Sequence, residues 1–294
     1  MRINIKKYLF LKIFIIFFIF LIFNILVYIS SILGFKSLQQ ELVNHQLSKI
    51  NNNSKIVFLG DSSLGHSINS NLWSSLSGKK TSNLALTGNF SFAGSNAILR
   101  EILKKNKNLE TVIIVNNLYA WQEDVKFSGY EYINKQKNFF LKYLNYLDKN
   151  IFEIKNFYFH FFLKKNNKNY SNLIINDFMK HGKKITKDAS YRFDINRFNR
   201  NKSFFLKKII NACNDFNINC IYFHGPIYEN ACIDENYVFF KKVNDELSNL
   251  DIMFSNEIEC LNYEQIGDTI YHASPEYKNE ITKRYYKKYL EINY

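Results

Sequence analysis

Proline and glycine are scarce in this 294-residue chain, with two prolines and ten glycines. That scarcity excludes a flexible linker of the Pro/Gly/Ser kind, and no internal repeat divides the sequence. Cysteine is rarer than glycine. Cys213, Cys220, Cys232 and Cys260 all fall in the last third, at spacings that match no zinc pattern. Nothing else in the sequence points to a metal or another cofactor. Acid is outnumbered, with 26 Asp+Glu against 39 Lys+Arg and a formal net charge of +13. What the chain does have is apolar bulk. Its 47% hydrophobic and 17% aromatic content supports a sizeable core and argues against global disorder. The length allows one large domain or two small ones. The abundance of Asn, Lys and Ile reads as nucleotide bias.

The longest uncharged run is Ile13 to Phe35, 23 residues dense in Ile, Leu and Phe, with Asn24 as its one strongly polar member. At about 1.5 Å per residue, a helix of that length covers the roughly 30 Å of bilayer hydrocarbon. Arg2, Lys6, Lys7 and Lys12 precede it, which predicts a single-pass anchor with the N-terminus inside and everything after Lys36 outside the cytoplasmic membrane. A cleaved signal peptide is the rival. The run is long for its apolar region, and no small-x-small cleavage site follows. A buried core helix fits poorly, because the run has no polar face.

The positive charge is concentrated. Between Lys126 and Lys208 there are 19 Lys/Arg and 6 Asp/Glu, and 19 − 6 = +13, so the remainder is about neutral. The same segment is thick with Phe and Tyr. Basic residues between aromatics resemble a single-stranded nucleic-acid surface, but an extracytoplasmic location favours anionic headgroups or an acidic glycan. The plain alternative is a solvated, Lys-rich helical face. In an oxidising compartment the four cysteines form two disulfides; free buried thiols are the alternative.

Beyond a polar stretch read as a helical stalk (37–54), strand and helix alternate. "KIVFL", "NLALTG", "TVIIV", "NCIYFHG" and "DIMFS" read as strands. A helix is expected from about Ser91 to Lys105, with Ile98, Leu99, Ile102 and Leu103 on one face, and others over "SFFLKKIINACNDF" and "DENYVFFKKVNDELSNL". Ser274-Pro275-Glu276 reads as the start of a last helix running to about Leu290, with Ser as cap and Pro at its first position. This alternation predicts a three-layer α/β/α sandwich around a mostly parallel sheet, with ligands beyond the carboxyl ends of the strands. Ser62, Gly88, Asn116 and Asn117 each follow such an end. The expected organisation is a cytoplasmic tip and anchor at 1–36, the stalk, and one domain at 55–294 with a mainly helical basic insertion at about 126–202.

Four motifs in this order carry a resemblance. They are Gly60-Asp61-Ser62 after the first strand, Gly88 after the second, Asn116/Asn117 after the third, and "GDTIYHASPEYKNEITKRYY" near the end. From Lys55 to Lys287, the insertion apart, the chain resembles the SGNH (GDSL-type) hydrolases, whose fold is flavodoxin-like. The resemblance implies a serine nucleophile, Ser62, a base, His272, and Asp268 to orient that base, which is what ester cleavage through an acyl-enzyme requires. It implies an oxyanion hole from the backbone N–H groups of Ser62 and Gly88 and the side-chain amide of Asn117 or Asn116. Two features depart from the family. Its Asp-x-x-His spacing is here four residues, about 13 Å if extended, so the segment must turn. The glycine and aspartate of its Gly-x-Asn-Asp block are missing. The G-x-S-x-G elbow is also absent, since position 64 is Leu.

The dull readings are a helix cap for Ser62, a surface position for His272 and a backbone role for Gly88. Asp61 is expected to bond its own loop, His66 to be structural or a substrate contact, and His224 to line the pocket. The implied activity is a membrane-anchored extracytoplasmic serine esterase or O-acyltransferase, acting on O-acyl, most simply O-acetyl, groups of a surface or cell-wall glycan. Lipid or thioester hydrolysis and a non-catalytic glycan-binding or assembly role are the alternatives. Expected partners are the cytoplasmic membrane, an acidic or acylated glycan and a membrane-embedded acyl-donor protein, with no nucleic acid.

Overall fold

The computed structural model describes residues 5–32, 38–51, 53–122, 174–175, 177–199 and 203–293. The chain divides into two compact units, one formed by Met1–Gln40 with Lys137–Asn169 and the other by Glu41–Gln136 with Tyr170–Tyr294. In the first unit, helix α1 spans Ile5–Ile32. Its described side chains from Lys7 to Ile22 are all exposed. Among the described residues no helix is long and apolar enough to cross a membrane. The predicted span Ile13–Phe35 ends in residues outside that set, and Lys7 and Lys12 stand at the start of the part within it.

The second unit is built on a five-stranded parallel sheet. Its strands are β1 (Ile56–Gly60), β2 (Thr81–Asn83), β3 (Thr111–Asn116), β6 (Asn219–His224) and β8 (Met253–Phe254), in the order β2-β1-β3-β6-β8. Between and beyond them lie an antiparallel pair, β4 (Ile174–Ile175) and β5 (Phe178–Met179), and a short parallel pair, β7 (Ile227–Tyr228) and β9 (Cys260–Leu261). Side chains of the central strands alternate between two cores. Val57, Leu59, Val112, Ile114 and Tyr222 enter one. Ile56, Phe58, Ile113, Val115, Ile221 and Phe223 enter the other. Both faces of the sheet are therefore covered, which is why these strands read as continuous apolar runs.

The first core is closed by α5 (Ser91–Lys105), α6 (Ser203–Asp215) and α7 (Asp234–Asn249), through Ile98, Leu206 and Phe239. The second is closed by α3 (Ser62–Ser67), α4 (Ser70–Ser77) and α8 (Lys278–Asn293), through Leu64, Trp73 and Tyr285. The expected α/β arrangement, a parallel sheet with helices packed on it, is present. The strand order turns back between β1 and β3, the switch point where doubly wound sheets bind ligands.

Several boundaries differ from the sequence reading. The second strand is Thr81–Asn83, which shares only Asn83 with "NLALTG", although Leu84 N and Leu86 N continue the ladder to Phe58 O and Gly60 O. The last helix begins at Lys278, because Ser274–Tyr277 forms a turn closed by Tyr277 N on Ser274 O. The stalk is corrected more fully. Helix α2 (Leu38–Ser48) buries Leu42 and Val43, and its Gln46 Nε2 donates to Ala85 O and Asp177 O. From Glu41 on, the helix belongs to the second unit. The basic insertion enters the description only at its C-terminal end, which is β4, β5 and loop rather than α-helix; its expected helical part lies outside the described residues. That described end is not a free charged face, since Asp177, Phe178 and Phe193 are buried.

Cys232 and Cys260 form a disulfide, and Cys213 and Cys220 are buried free thiols. One of the two expected bridges is therefore present. With a sequence separation of 28 between its ends, loop-closure entropy gives this bridge a stabilising effect of about 3.5 kcal/mol. Cys260→Ser should lower the unfolding free energy in urea by that order, and unreduced, unfolded protein should titrate with two thiols. Four free thiols in protein made in its native compartment would contradict this pairing.

Candidate active site

The carboxyl ends of β1 and β3 meet at Gly60. A methyl group there would lie 1.8 Å from Val115 O, so only glycine lets the two strands close at this point. Asp61 follows, wholly buried. Its Oδ1 accepts from Ser63 N (2.9 Å) and Ser63 Oγ (2.5 Å), and its Oδ2 accepts from Asn117 N (3.0 Å). One carboxylate thus caps α3 and ties it to the loop after β3. Burial raises its pKa, and the bonds from Ser63 and Asn117 pull the other way. Asp61 serves its own loop and the neighbouring one.

Ser62 is the first residue of α3 and is half-buried. Its N–H and that of Gly88, first in the short 3₁₀ turn Gly88–Phe90, occupy positions that have no intrahelical acceptor. A methyl group on Gly88 would meet nothing within 4 Å, so open space lies beside it. Asn117 Oδ1 accepts from Ala120 N (3.1 Å), which fixes the amide and leaves Nδ2 as the remaining donor. Asn116 differs. It is fully buried in register with His224, and neither of its side-chain polar atoms has a hydrogen-bond partner among the described residues.

The segment after β9 answers the spacing problem. Gly267 N donates to His272 O (2.7 Å), His272 N to Thr269 O (3.3 Å), and Ile266 bridges Ala273. The chain doubles back, and His272 Nδ1 comes within 2.8 Å of Asp268 Oδ1. A second imidazole shares that oxygen, with His181 Nδ1 at 3.1 Å, while Gly182 N donates to Oδ2 at 2.5 Å. Burial pushes the Asp268 carboxyl up, but the bonds from His181, His272 and Gly182 outweigh it and hold the group well below the usual carboxylate range. An ionised carboxylate can only accept, so both histidines carry their proton on Nδ1 and present Nε2 as the free nitrogen.

His66 completes the cluster. Its ring centroid lies 4.2 Å from that of His272 and 4.0 Å from that of His181, and Phe178 closes its edge. Ser62 and His66 are four apart on one helix and so share a face. No hydrogen bond joins Ser62 to His272 among the described residues. His224, expected to line the pocket, is enclosed, with Nε2 on Asn244 Oδ1 (2.8 Å) and its ring against Phe240.

The residue that sequence reasoning missed is His181. It lies in the basic segment 87 positions from its partner, with no motif around it.

No protein-family model matches the chain, and comparison with curated proteins gives no match. Among solved structures, the chain is similar to one from Streptococcus pneumonia, provisionally described as a platelet activating factor. The identity is 13% and the TM-score 0.44, over 86% of this chain and 92% of the other. A likeness at that level carries no argument about chemistry here.

The buried histidines set a pH dependence. Burial, reinforced by His272 and His181, pushes His66 down to about 2. Burial likewise pushes His224 down to about 3, against the bond to Asn244. Unfolded imidazole titrates near 6.5, so between that pH and the native value the unfolded state binds more protons. Stability is then full above pH ~6.5 and falls on acidification, by at most about 1.4 kcal/mol per pH unit for each ring. His66→Gln and His224→Gln should each flatten the slope of unfolding free energy between pH 6 and 4 in urea titrations. Slopes equal to wild type would refute the burial argument.

Proposed function

We propose that this chain is a serine esterase or O-acyltransferase of the SGNH type, with Ser62 as nucleophile, His272 as base and Asp268 orienting the base. The observation that carries the reading is the 2.8 Å bond from His272 Nδ1–H to Asp268, formed across a four-residue spacing by a loop that closes on itself. It leaves Nε2 as the proton acceptor. In this scheme Nε2 takes the Ser62 hydroxyl proton as Oγ attacks the acyl carbonyl, then returns it to the leaving alcohol as the acyl-enzyme forms. Water or an acceptor hydroxyl repeats the steps in reverse. The Ser62 and Gly88 N–H groups and Asn117 Nδ2 are the donors proposed for the oxyanion. Asn117 is preferred over Asn116 because the latter's amide is sealed off from solvent.

For the substrate we infer an O-acylated glycan, with acetyl as the simplest acyl group. Tyr119, Tyr191 and Tyr271, all half-buried, have centroids 5.6, 6.3 and 6.4 Å apart. Tyr119 and Tyr271 flank Asn117 and His272 in sequence, and tyrosine faces suit sugar rings. The exposed Lys183 and Lys184 add positive charge nearby in sequence. The proposed location is outside the cytoplasmic membrane, attached through the N-terminal segment. Support comes from the Cys232–Cys260 disulfide, which fits an oxidising compartment, and from the uncharged run after Lys12.

A membrane-impermeant fluorophosphonate applied to intact spheroplasts tests chemistry and location together. Wild type should be labelled without lysis, and Ser62→Ala should not be labelled. Equal labelling of the variant would remove Ser62 from the mechanism, and labelling only after lysis would remove the location. In the same preparation, Tyr191→Ala should raise KM for an O-acetylated oligosaccharide several-fold while leaving nitrophenyl acetate hydrolysis unchanged. Parallel losses on both substrates would refute the glycan platform.

A further inference from the structure

The imidazoles around Asp268 are more than the proposed reaction needs. One donor atom from each of His66, Asp268 and His272 lies within 4.8 Å of the others. In a tetrahedral zinc site with bonds of about 2.0–2.2 Å, donors stand about 3.4 Å apart, so ring rotations on the order of 1 Å would bring these into range. Two imidazoles and a carboxylate with an open fourth position form a donor set that zinc takes. Cysteine spacing gave no hint of it, because the three residues come from α3 and from the loop before α8.

A second observation points the same way. His66 is 4% exposed, yet its ring nitrogens make no hydrogen bond among the described residues. Its faces and edge meet His181, His272 and Phe178. His66 thus packs within the cluster, beside the rings of His181 and His272.

We propose that His66, His272 and Asp268 form a binding site for zinc or a similar divalent transition metal, and that occupancy switches the hydrolase off. The inhibitory part rests on the reading of His272 as base; binding does not. A neutral imidazole has one proton and one lone pair. A metal on Nε2 uses the lone pair that would accept the serine proton. A metal on Nδ1 displaces that proton to Nε2, which then cannot accept. Either way the base is lost, and chelation restores it.

The test is Zn²⁺ titration of the full chain in competition with a chromophoric chelator, with Co²⁺ as spectroscopic probe. Wild type and Ser62→Ala should each bind one equivalent. Co²⁺ should give d–d bands of a four- or five-coordinate nitrogen and oxygen site, without a thiolate charge-transfer band. His66→Gln and Asp268→Asn should weaken binding about tenfold or more. In case these variants fold poorly, histidine-selective NMR of wild type supplies an independent reading. Zinc should move the His66 and His272 resonances and leave His45 and His224 in place. No binding, equal affinity in folded variants, a thiolate band from Cys213 or Cys220, or unshifted His66 signals would each overturn the site. Persistent binding in Ser62→Ala with no fluorophosphonate labelling of wild type would instead confirm the metal site and reject the serine mechanism and its switch.

Discussion

Asp268 is the point on which the site's geometry turns. Its two oxygens receive His272 Nδ1, His181 Nδ1 and Gly182 N, so one carboxylate joins the loop before the last helix to the end of the basic insertion. These bonds to a charged acceptor are of the stronger kind, about 1.5–3 kcal/mol each. They keep the carboxylate ionised despite partial burial. The ionised state fixes the tautomer of both histidines. From that follow the free Nε2 of His272, the packing of His66 between two rings, and the fit of Gly182 and Gly267. A methyl on Gly182 would sit 3.1 Å from Asp268 Oδ2, and one on Gly267 would sit 2.7 Å from His181 Nδ1.

A second buried carboxylate does the corresponding work on the other side. Asp61 binds the N-terminus of α3 and the loop after β3 together, at the place where the strand order reverses. Parallel sheets of this order leave a crevice there because the connections diverge to opposite faces. Ser63 at the start of α3 and Asn117 after β3 are held together there by one side chain. The insertion then supplies a wall, with Phe178 over Gly65 and His66 and with Tyr191 bonded to Gln122 Oε1 at 3.0 Å. Its described end is thus part of the folded unit, and its charge is carried by exposed residues such as Lys183 and Lys184 rather than by the buried ones.

Much of this was legible in the sequence where the signal is local. Runs such as Val112–Val115 announce a strand buried on both faces, and a polar turn directly after such a run marks a strand end. Glycine at position 60 and the serine two residues on could be read for that reason. Asp268 and His272 were legible as a pair but not as a bonded one, since the closing bonds from Gly267 N and His272 N depend on backbone geometry. What could not be read depends on distant partners. His181 acquires its role from a residue 87 positions away. Helix α2 looks polar by composition, and its membership of the domain rests on Leu42, Val43 and Gln46 meeting surfaces formed much later in the chain. Which cysteines pair was equally hidden, because α6 and β6 hold Cys213 and Cys220 as buried core thiols while the parallel pairing of β7 with β9 brings the segment of Cys232 to Cys260.

The claim that Ser62, His272 and Asp268 act as one unit is tested most directly by the additivity of their removal. The measurement is kcat/KM for a small nitrophenyl ester in the single alanine variants and the triple variant, each verified as folded. Residues that serve one proton transfer fail together. The account predicts that Ser62→Ala and His272→Ala each cost nearly as much as the triple change, with Asp268→Ala somewhat less. Losses that multiply across the three positions would show independent roles and would contradict the account.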